Sequence, residues 1–483
     1  MIPRLATVGA VSCTAMLVGC QSYTRQPLDI AGYRTAFEAR SVNSEAVAGF
    51  AARLAEAGQD VPTRFDVSDG ISSAEAEVIA LFYNAELRMA RLDAAGALAS
   101  LDSSGLWEDP VFGFDGAEIL SPEGPFEFGF MLEWTIPLSG RLGVERDRAS
   151  AQYEAELRRV VEAEWGVRMR VREAWARWSE ALLREELLRE FVSDAERVVE
   201  LTDRLKEAGE LTRVEARLIR GELASARLEL VGAGLIVEEA ESSLFELMGL
   251  WPSEEIRLLP SLPETGALGF DHPVERLIVS NPTLAVGRAE YQIAEESLRL
   301  EIRKQYPDLT IGAGYGNEDD DRLLLGLSIP IPALNGNRGG IAEARANRDR
   351  CRVEAETTFE RLARRFDLAV EKQRLIRSQR EAFENELVPL LDEQLGEVER
   401  LMDLGQVDVL LLLESFARRF EAKSKLLELR LDEVRAGIEV DSLFGPEAPR
   451  DPAPVQSTTP EHQTIDTQSG SGVNPAGQEG NRQ

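Results

Sequence analysis

The chain has 483 residues, of which 43% are hydrophobic, 6% aromatic and 29% charged, proportions that suit a helix-rich protein with a sizeable core. Its formal net charge of −31 argues against a nucleic-acid partner, because such partners favour clustered Lys and Arg. A solvated acidic surface explains most of that charge.

The first twenty residues have the pattern of a targeting segment. Arg4 supplies a positive charge, residues 5–18 are apolar or small, and residues 17–20 (Leu-Val-Gly-Cys) resemble the lipobox of bacterial lipoproteins. In lipoproteins with that motif the leader is cut before the cysteine, whose sulfur then receives lipid. We therefore predict a cleaved signal peptide at 1–19, lipidation at Cys20 and an anchoring N-terminal segment at 20–70. The alternative is an ordinary secretory leader.

Short segments with period-two alternation lie between the longer helical patterns. Residues 109–116 and 126–138 form one pair, residues 307–316 and 325–329 form another, and polar turns are predicted at 121–125 and 319–321. Beyond the leader no apolar run approaches the roughly twenty residues of a membrane-spanning helix, so a bilayer crossing would use strands. The alternative is two hairpins packed on a soluble core. The residues predicted to face lipid are Phe126, Phe128, Phe130, Leu132 and Trp134.

A very long helix is predicted to follow the first strand pair. Residues 141–207 contain no proline, and at about 1.5 Å per residue they would extend for on the order of 100 Å. Apolar residues recur every seven positions from Val160 to Ala195, which favours supercoiling against partner helices. Glu164 and Glu185 interrupt a second such row, so the seam is too polar for a simple two-stranded coil.

Each long helix is predicted to turn back on itself at a short tip. Gly209 and Gly405 suit the ends of incoming helices, and Thr212 and Asp408 suit the N-caps of outgoing helices. The two predicted tips consist of Gly209, Glu210, Leu211, Thr212, Gly405, Gln406, Val407 and Asp408.

The chain contains the same pattern twice. Pro110 returns as Pro307 after 197 residues, and Gly209 returns as Gly405 after 196. The predicted organisation is a first helix-strand-helix repeat at 71–250, a linker at 251–272, a second repeat at 273–445 and a disordered tail at 446–483. Four strands cannot close a membrane barrel, which needs about eight. Several copies would have to share one barrel, and three chains would supply twelve strands.

With this order and duplication the chain resembles the TolC family of outer-membrane efflux proteins, in its lipid-anchored branch. The segments that carry the resemblance are residues 133–138, 140–143, 208–212, 281–284, 306–309, 326–331, 339–340, 342–346 and 404–408. The resemblance implies a mainly α fold with a membrane β-barrel portion, in which a homotrimer shares a twelve-stranded barrel in outer-membrane lipid. Its long coiled helical hairpins would form a tunnel across the periplasm. The tips would meet a periplasmic adaptor protein and an inner-membrane pump, and transport would be passive.

Family members often carry an acidic residue six positions after each tip glycine, facing the tunnel entrance. Glu215 fits that position in the first repeat, whereas Leu411 occupies it in the second, where Asp408 is a nearby acid. A carboxylate ring from Glu215 and Asp408 would favour cations. The alternative is that both are ordinary charges near helix starts.

Motifs for catalysis, metal binding or cofactor binding are missing from the sequence. His272 and His462 are the only histidines, and no phosphate loop, zinc spacing or nucleophile elbow is found. We therefore expect no enzyme activity, no metal and no cofactor. The hypothesis is an exit duct of a tripartite efflux system, and the alternative is a periplasmic coiled-coil scaffold lipoprotein. The transported substrate, be it a metal cation, a drug or a secreted protein, is not determined by these patterns.

Overall fold

Long helices and one four-stranded antiparallel sheet make up this computed structural model, which describes residues 23–59, 62, 65–118, 126–252, 256–262, 273–318, 320–404, 406 and 408–445. The predicted signal peptide, Cys20, the tail at 446–483, the turn at 121–125, His272, Gly405 and Val407 lie outside these residues. No helix in the described ranges combines the length and the apolarity that a bilayer crossing requires.

The first half of the chain contains six helices and two strands within the described residues. The predicted long helix at 141–207 is present as α5. The elements are α1 (Ile30–Glu38), α2 (Glu45–Glu56), α3 (Ser73–Tyr83), α4 (Ala85–Asp102), β1 (Val111–Glu118), β2 (Phe126–Ile136), α5 (Arg141–Ala208) and α6 (Arg213–Met248).

The second half repeats this order with one difference, a short π-helical segment inside its long helix. The elements are α7 (Pro273–Ser280), α8 (Pro282–Arg303), β3 (Leu309–Glu318), β4 (Asp320–Ser328), α9 (Arg338–Ala382), the π segment (Phe383–Leu387), α10 (Val388–Asp403) and α11 (Val409–Phe444). Pro389 lies two residues after the π segment, as the second residue of α10. Because proline has no N–H to donate to the preceding turn, the helix widens locally at this point. The 68-residue α5 has no such interruption.

The sheet has the strand order β1-β2-β3-β4, and every neighbouring pair is antiparallel. The prediction that Asp320 and Asp321 belong to a turn is wrong, because both lie in β4, where Asp320 pairs with Glu318 and Asp321 with Asn317. Asp321 Oδ1 also accepts hydrogen bonds from Tyr315 Oη at 2.6 Å and Asn317 Nδ2 at 2.8 Å. These bonds hold Asp321 on the sheet, whereas Asp319 lies outside the described residues.

Glu164, one of the two acids that interrupt the apolar row of α5, forms a buried ion pair. Glu164 Oε1 accepts a hydrogen bond from Arg91 Nη2 of α4 at 2.9 Å, and both residues are buried at 7% exposure. The same Arg91 Nη2 donates to the carbonyl oxygen of Leu81 at 3.0 Å. The seam of α5 therefore packs against several helices, and its acid is neutralised by one of them.

In each repeat, a buried asparagine connects two helix ends through hydrogen bonds. Asn84 caps α4 and donates Nδ2 to the Leu247 carbonyl oxygen at 3.0 Å. Asn281 caps α8 and donates Nδ2 to the Leu443 carbonyl oxygen at 2.7 Å. Each asparagine thus joins the start of one helix to the end of the last helix in its repeat. We call these two contacts the Asn84 clasp and the Asn281 clasp.

Trp175 and Trp178 belong to the hydrophobic core where α3 and α6 pack on α5. Their exposures are 1% and 5%, and their ring centroids lie 5.4 Å apart. Trp165 Nε1 donates to the Ser442 carbonyl oxygen at 3.3 Å. All three tryptophans are thus packing residues between helices.

Candidate functional site

Helices end and begin at both predicted tips, and the expected caps are present at those tip residues that the structure describes. Gly209 ends α5 with a left-handed φ of 83°, a conformation that glycine adopts at low cost. Thr212 starts α6 with a capping box: its N–H donates to Glu215 Oε2 at 2.8 Å, and its Oγ1 accepts from the Glu215 N–H at 3.2 Å. In the second tip, Asp408 Oδ1 accepts from the Leu411 N–H at 3.0 Å.

The two predicted entrance acids are therefore both engaged in helix capping. Backbone and side-chain hydrogen bonds with Thr212 lower the pKa of Glu215 from its ordinary value. Both carboxylates lie at fixed places beside helix N-termini, where the helix dipole favours negative charge. Leu411 is 41% exposed, and Glu414 is paired with Arg418 at 2.6 Å. A role of the two acids at a tunnel entrance remains a prediction.

Thr212→Ala is expected to weaken the first turn of α6 by about 1 kcal/mol, because the cap oxygen is lost. Thr212→Ser is the matched control, since it keeps the hydroxyl. Hydrogen exchange of the first-turn amides of α6 would measure the change: Ala should speed exchange roughly fivefold relative to Ser. Equal exchange in both variants would show that the capping box does not hold the tip.

A polar groove above the tips was not predicted. It has a volume of about 750 Å³ and lies between α5, α10 and α11. Its lining includes Glu186, Glu190, Glu399, Arg197 and Arg419. Arg419 pairs with Asp392 at 2.5 Å. No local pattern predicts this groove, because its walls come from two segments that are distant in the sequence, residues 186–197 and 392–419.

One face of the sheet is apolar and uncovered. On β2 it carries the predicted lipid-facing residues, of which Phe126, Phe130, Leu132 and Trp134 are between 40% and 58% exposed and Phe128 is half-buried. The strand pairing places Phe112, Phe114, Ile311, Ala313, Tyr315, Leu323, Leu325 and Leu327 on the same face. An apolar surface of this extent indicates contact with lipid or another chain.

The opposite face of the sheet combines glycines with polar side chains such as Glu133. A Cβ at Gly314 would lie 2.5 Å from the Phe130 carbonyl oxygen, and one at Gly312 would lie 3.2 Å from Met131 Sδ. Glycine is required where the backbone and the Met131 side chain approach this closely. The two faces of the sheet therefore differ in both polarity and bulk.

An ion-pair cluster that was not predicted joins the two repeats where strands meet helices. Arg141, the first residue of α5, contacts Asp308 Oδ2 at 2.8 Å, Glu108 Oε1 at 2.7 Å and Glu145 Oε1 at 2.9 Å. Ser139 Oγ also donates to Asp308 Oδ1 at 3.1 Å. Partial burial opposes ionisation of Asp308, but hydrogen bonds from Arg141 and Ser139 outweigh it and hold the pKa of Asp308 below its ordinary value. We call this cluster the Arg141 joint.

The Arg141 joint predicts a pH dependence. Because the folded-state pKa of Asp308 is depressed, its stabilisation is present above the unfolded value of about 3.9 and is lost as the pH falls through the folded value. Asp308→Asn should lower the thermal midpoint at neutral pH, and the difference from wild type should shrink as the pH falls below about 5. Asp147→Asn, at an exposed carboxylate of α5, is the control. A difference that stays constant with pH would contradict this role.

Comparison with known proteins agrees with this architecture. Residues 84–250 match the family model described as outer membrane efflux protein. The cobalt-zinc-cadmium resistance protein CzcC of Cupriavidus metallidurans is 23% identical over 260 residues. That alignment covers 52% of this chain, and the chain spans only 61% of the length of this relative.

Solved structures of bacterial channels share the fold. A structure of CusC, from a study of its folding and transmembrane channel formation, has a TM-score of 0.66 at 16% identity and covers 79% of this chain and 93% of its own. The Campylobacter jejuni outer membrane channel CmeC has a TM-score of 0.66 at 16% identity and covers 88% and 93%. The outer-membrane channel OprN has a TM-score of 0.67 at 16% identity and covers 77% and 89%. Long helical hairpins with four antiparallel strands are thus common to all of them.

Proposed function

We propose that this chain is the outer-membrane channel of a tripartite efflux system, because residues 84–250 match the family model described as outer membrane efflux protein. It would act as a passive exit duct for substrates that an inner-membrane pump and a periplasmic adaptor deliver. The matching family model describes efflux proteins of the outer membrane, and we propose no enzymatic activity for this chain.

The observation that carries this proposal is the four-stranded sheet with an apolar face and two open edges. β1 and β4 have no further strand partner within the described residues. In lipid every backbone polar group must be paired, so the sheet has to close. Four strands are too few for closure, and three copies would supply twelve. A homotrimer sharing one barrel satisfies both the apolar face and the open edges.

The helical part would extend from that barrel into the periplasm. Its tips, made of residues 209–212 and 405–408, would contact the adaptor. Lipidation of Cys20 would anchor the N-terminus in the outer membrane, as the residues 17–20 suggest. Acyl analysis of the N-terminal fragment tests this: an unmodified cysteine in the mature protein would exclude the lipid anchor.

We propose cations as the favoured substrate class. Glu215 and Asp408 place fixed negative charges at the two tips, and rings of carboxylates favour cations in pores. The relative CzcC is named for resistance to cobalt, zinc and cadmium. The reversal potential of single channels in a salt gradient measures this preference, and equal cation and anion permeability would contradict it.

The lipid-facing role of the sheet is tested by Phe130→Arg. Phe130 is near the middle of β2, on the apolar face, where arginine in a bilayer would cost about 2–4 kcal/mol. We expect the trimer in the outer-membrane fraction to be strongly reduced, as measured by fractionation and by the native mass of the detergent extract.

Glu133→Arg is the matched control, because Glu133 lies on the opposite face of the same strand. This variant should assemble normally. If Phe130→Arg assembles as well as Glu133→Arg, the strands do not face lipid, and the periplasmic scaffold becomes the better explanation.

A further inference from the structure

We propose that the open edges of the sheet join between two copies of this chain through a second ion-pair joint, formed by Arg338 of one copy and Asp109 of the next. Apolar residues beside each charge would pack across the same contact. This inference rests on the proposed trimer and goes beyond it, because it assigns the residues that close the ring.

The Arg141 joint within one chain is the template for this contact. β2 and β3 pair up to Ile136 and Leu309. Immediately beyond this end of the pair, Gly140 has a left-handed φ of 67° and Arg141 begins α5. The Arg141 side chain then reaches Asp308, just before the neighbouring strand. An arginine at a strand exit thus holds an aspartate at the next strand's entry.

The second repeat also has a left-handed residue followed by an arginine after its last strand. This arginine has no ion-pair partner among the described residues of the same chain. After β4, Asn337 has a left-handed φ of 53° and Arg338 begins α9. Arg338 is exposed, and no ion pair of its side chain occurs among the described residues. The strand that would neighbour β4 is missing from the chain, because β4 is the last strand of the sheet.

The other open edge presents the complementary charge. Asp109 lies two residues before β1 and is exposed. Its carboxylate has no ion pair in the part of the chain that the structure describes, whereas the neighbouring Glu108 already binds Arg141. One edge therefore ends in an unpaired cation and the other begins with an unpaired anion. A head-to-tail contact of this kind generates a closed ring when it repeats.

Apolar residues flank both charges. Nine residues, 329–337, separate β4 from α9, compared with four, 137–140, between β2 and α5. The longer connection exposes Ile331 at 83% and Leu334 at 96%. Beside Asp109, Leu106 and Trp107 are exposed at 65% and 51%. The contact would bury apolar groups from both copies, which is favourable.

The direction of β1 and β4 and the position of their apolar residues are also compatible with this contact between copies. β1 and β4 would run antiparallel, as all neighbours in this sheet do. Phe112 and Phe114 lie on the apolar face through their pairing with Leu132 and Phe130, and Leu327 lies there through Ile311 and Trp134. A register that pairs Leu327 with an even-numbered residue of β1 keeps this face continuous around the ring. A shift of one residue would turn it inward.

Disulfide trapping tests the proposed joint. Arg338→Cys and Asp109→Cys are combined in the full-length protein with Cys351→Ser. Membranes are treated before non-reducing electrophoresis with a bis-methanethiosulfonate reagent, which links two thiols through a disulfide at each end of a spacer, because the Cα atoms of an arginine–aspartate pair can lie too far apart for a direct disulfide. We expect dimers and trimers that reduction converts to monomers, and no such species from either single cysteine variant. The control pair is Thr135→Cys with Thr310→Cys, whose hydroxyl oxygens lie 3.2 Å apart on β2 and β3. It should form a bridge inside one chain only.

Three results distinguish the outcomes. A trimer of the expected native mass that yields no intermolecular disulfide, while the control pair closes, would overturn the joint and leave the proposed channel intact. A bridge between residues 109 and 338 inside a monomer would also overturn the joint. A wild-type protein that is monomeric after extraction would overturn both the joint and the proposed channel.

Charge exchange gives an independent check of the joint. Arg338→Asp should reduce the trimer fraction severalfold, and adding Asp109→Arg should restore it.

Discussion

Glu164→Ala is expected to lower the free energy of unfolding by about 3–5 kcal/mol, because it leaves the buried guanidinium of Arg91 without a counter-charge. The carboxylate and guanidinium lie 2.9 Å apart between α5 and α4, and each side chain is less than a tenth exposed. Thermal unfolding of the detergent-extracted protein, followed by far-ultraviolet circular dichroism, would measure the loss.

Glu154→Ala provides the matched control for this prediction. Glu154 is on the same helix and is paired with Arg158 at 4.0 Å, but its side chain is 57% exposed, so its loss should change the unfolding free energy by less than about 1 kcal/mol. Replacing both buried partners, with Arg91→Met and Glu164→Leu, should recover most of the stability. If Glu164→Ala unfolds like Glu154→Ala, the buried pair does not stabilise the packing of α4 on α5.

Asn281→Asp is expected to cost about 1–3 kcal/mol. The substitution keeps the oxygen that accepts from the Leu284 N–H at 2.8 Å. It replaces the amide that donates to the Leu443 carbonyl oxygen with a carboxylate oxygen, so two acceptors would face each other at a site that is 2% exposed. The thermal midpoint and the trimer fraction should both fall.

The same substitution at other positions shows whether the clasp is responsible. Asn84→Asp should have a similar effect, because the Asn84 clasp has the same two hydrogen-bonding roles. Asn347→Asp should be nearly neutral, since Asn347 is exposed and its oxygen accepts from Arg350. Equal midpoints for Asn281→Asp and Asn347→Asp would contradict the importance of the clasp.

Local signals in the sequence were sufficient for the helices and their ends. The absence of proline predicts α5, and glycine followed by Thr212 or Asp408 predicts the hairpin tips, because caps depend on residues only a few positions apart. Alternation along residues 126–136 predicts β2, because this pattern also depends only on residues a few positions apart. The structure confirms β2, α5, the first tip and the cap at Asp408, whereas Gly405 lies outside the described residues.

Contacts between distant residues could not be predicted in this way. The Arg141 contact with Asp308 spans 167 residues, and the Arg91 contact with Glu164 spans 73. In the sequence both arginines are ordinary members of charged helices. The π segment is an intermediate case, since Pro389 marks the position of a disturbance but not the form that it takes. The incorrect turn at Asp320 and Asp321 reflects a preference of aspartate for turns that the sheet overrides.

The two asparagine clasps have a consequence for synthesis and folding. They close chain lengths of 163 and 162 residues, and neither uses a residue from the other repeat. Chains fold from the N-terminal side as they emerge. The first repeat can therefore form the Asn84 clasp before the second repeat has been synthesised. The nascent first half thus has these two helix ends joined before the second half is available to pack against it.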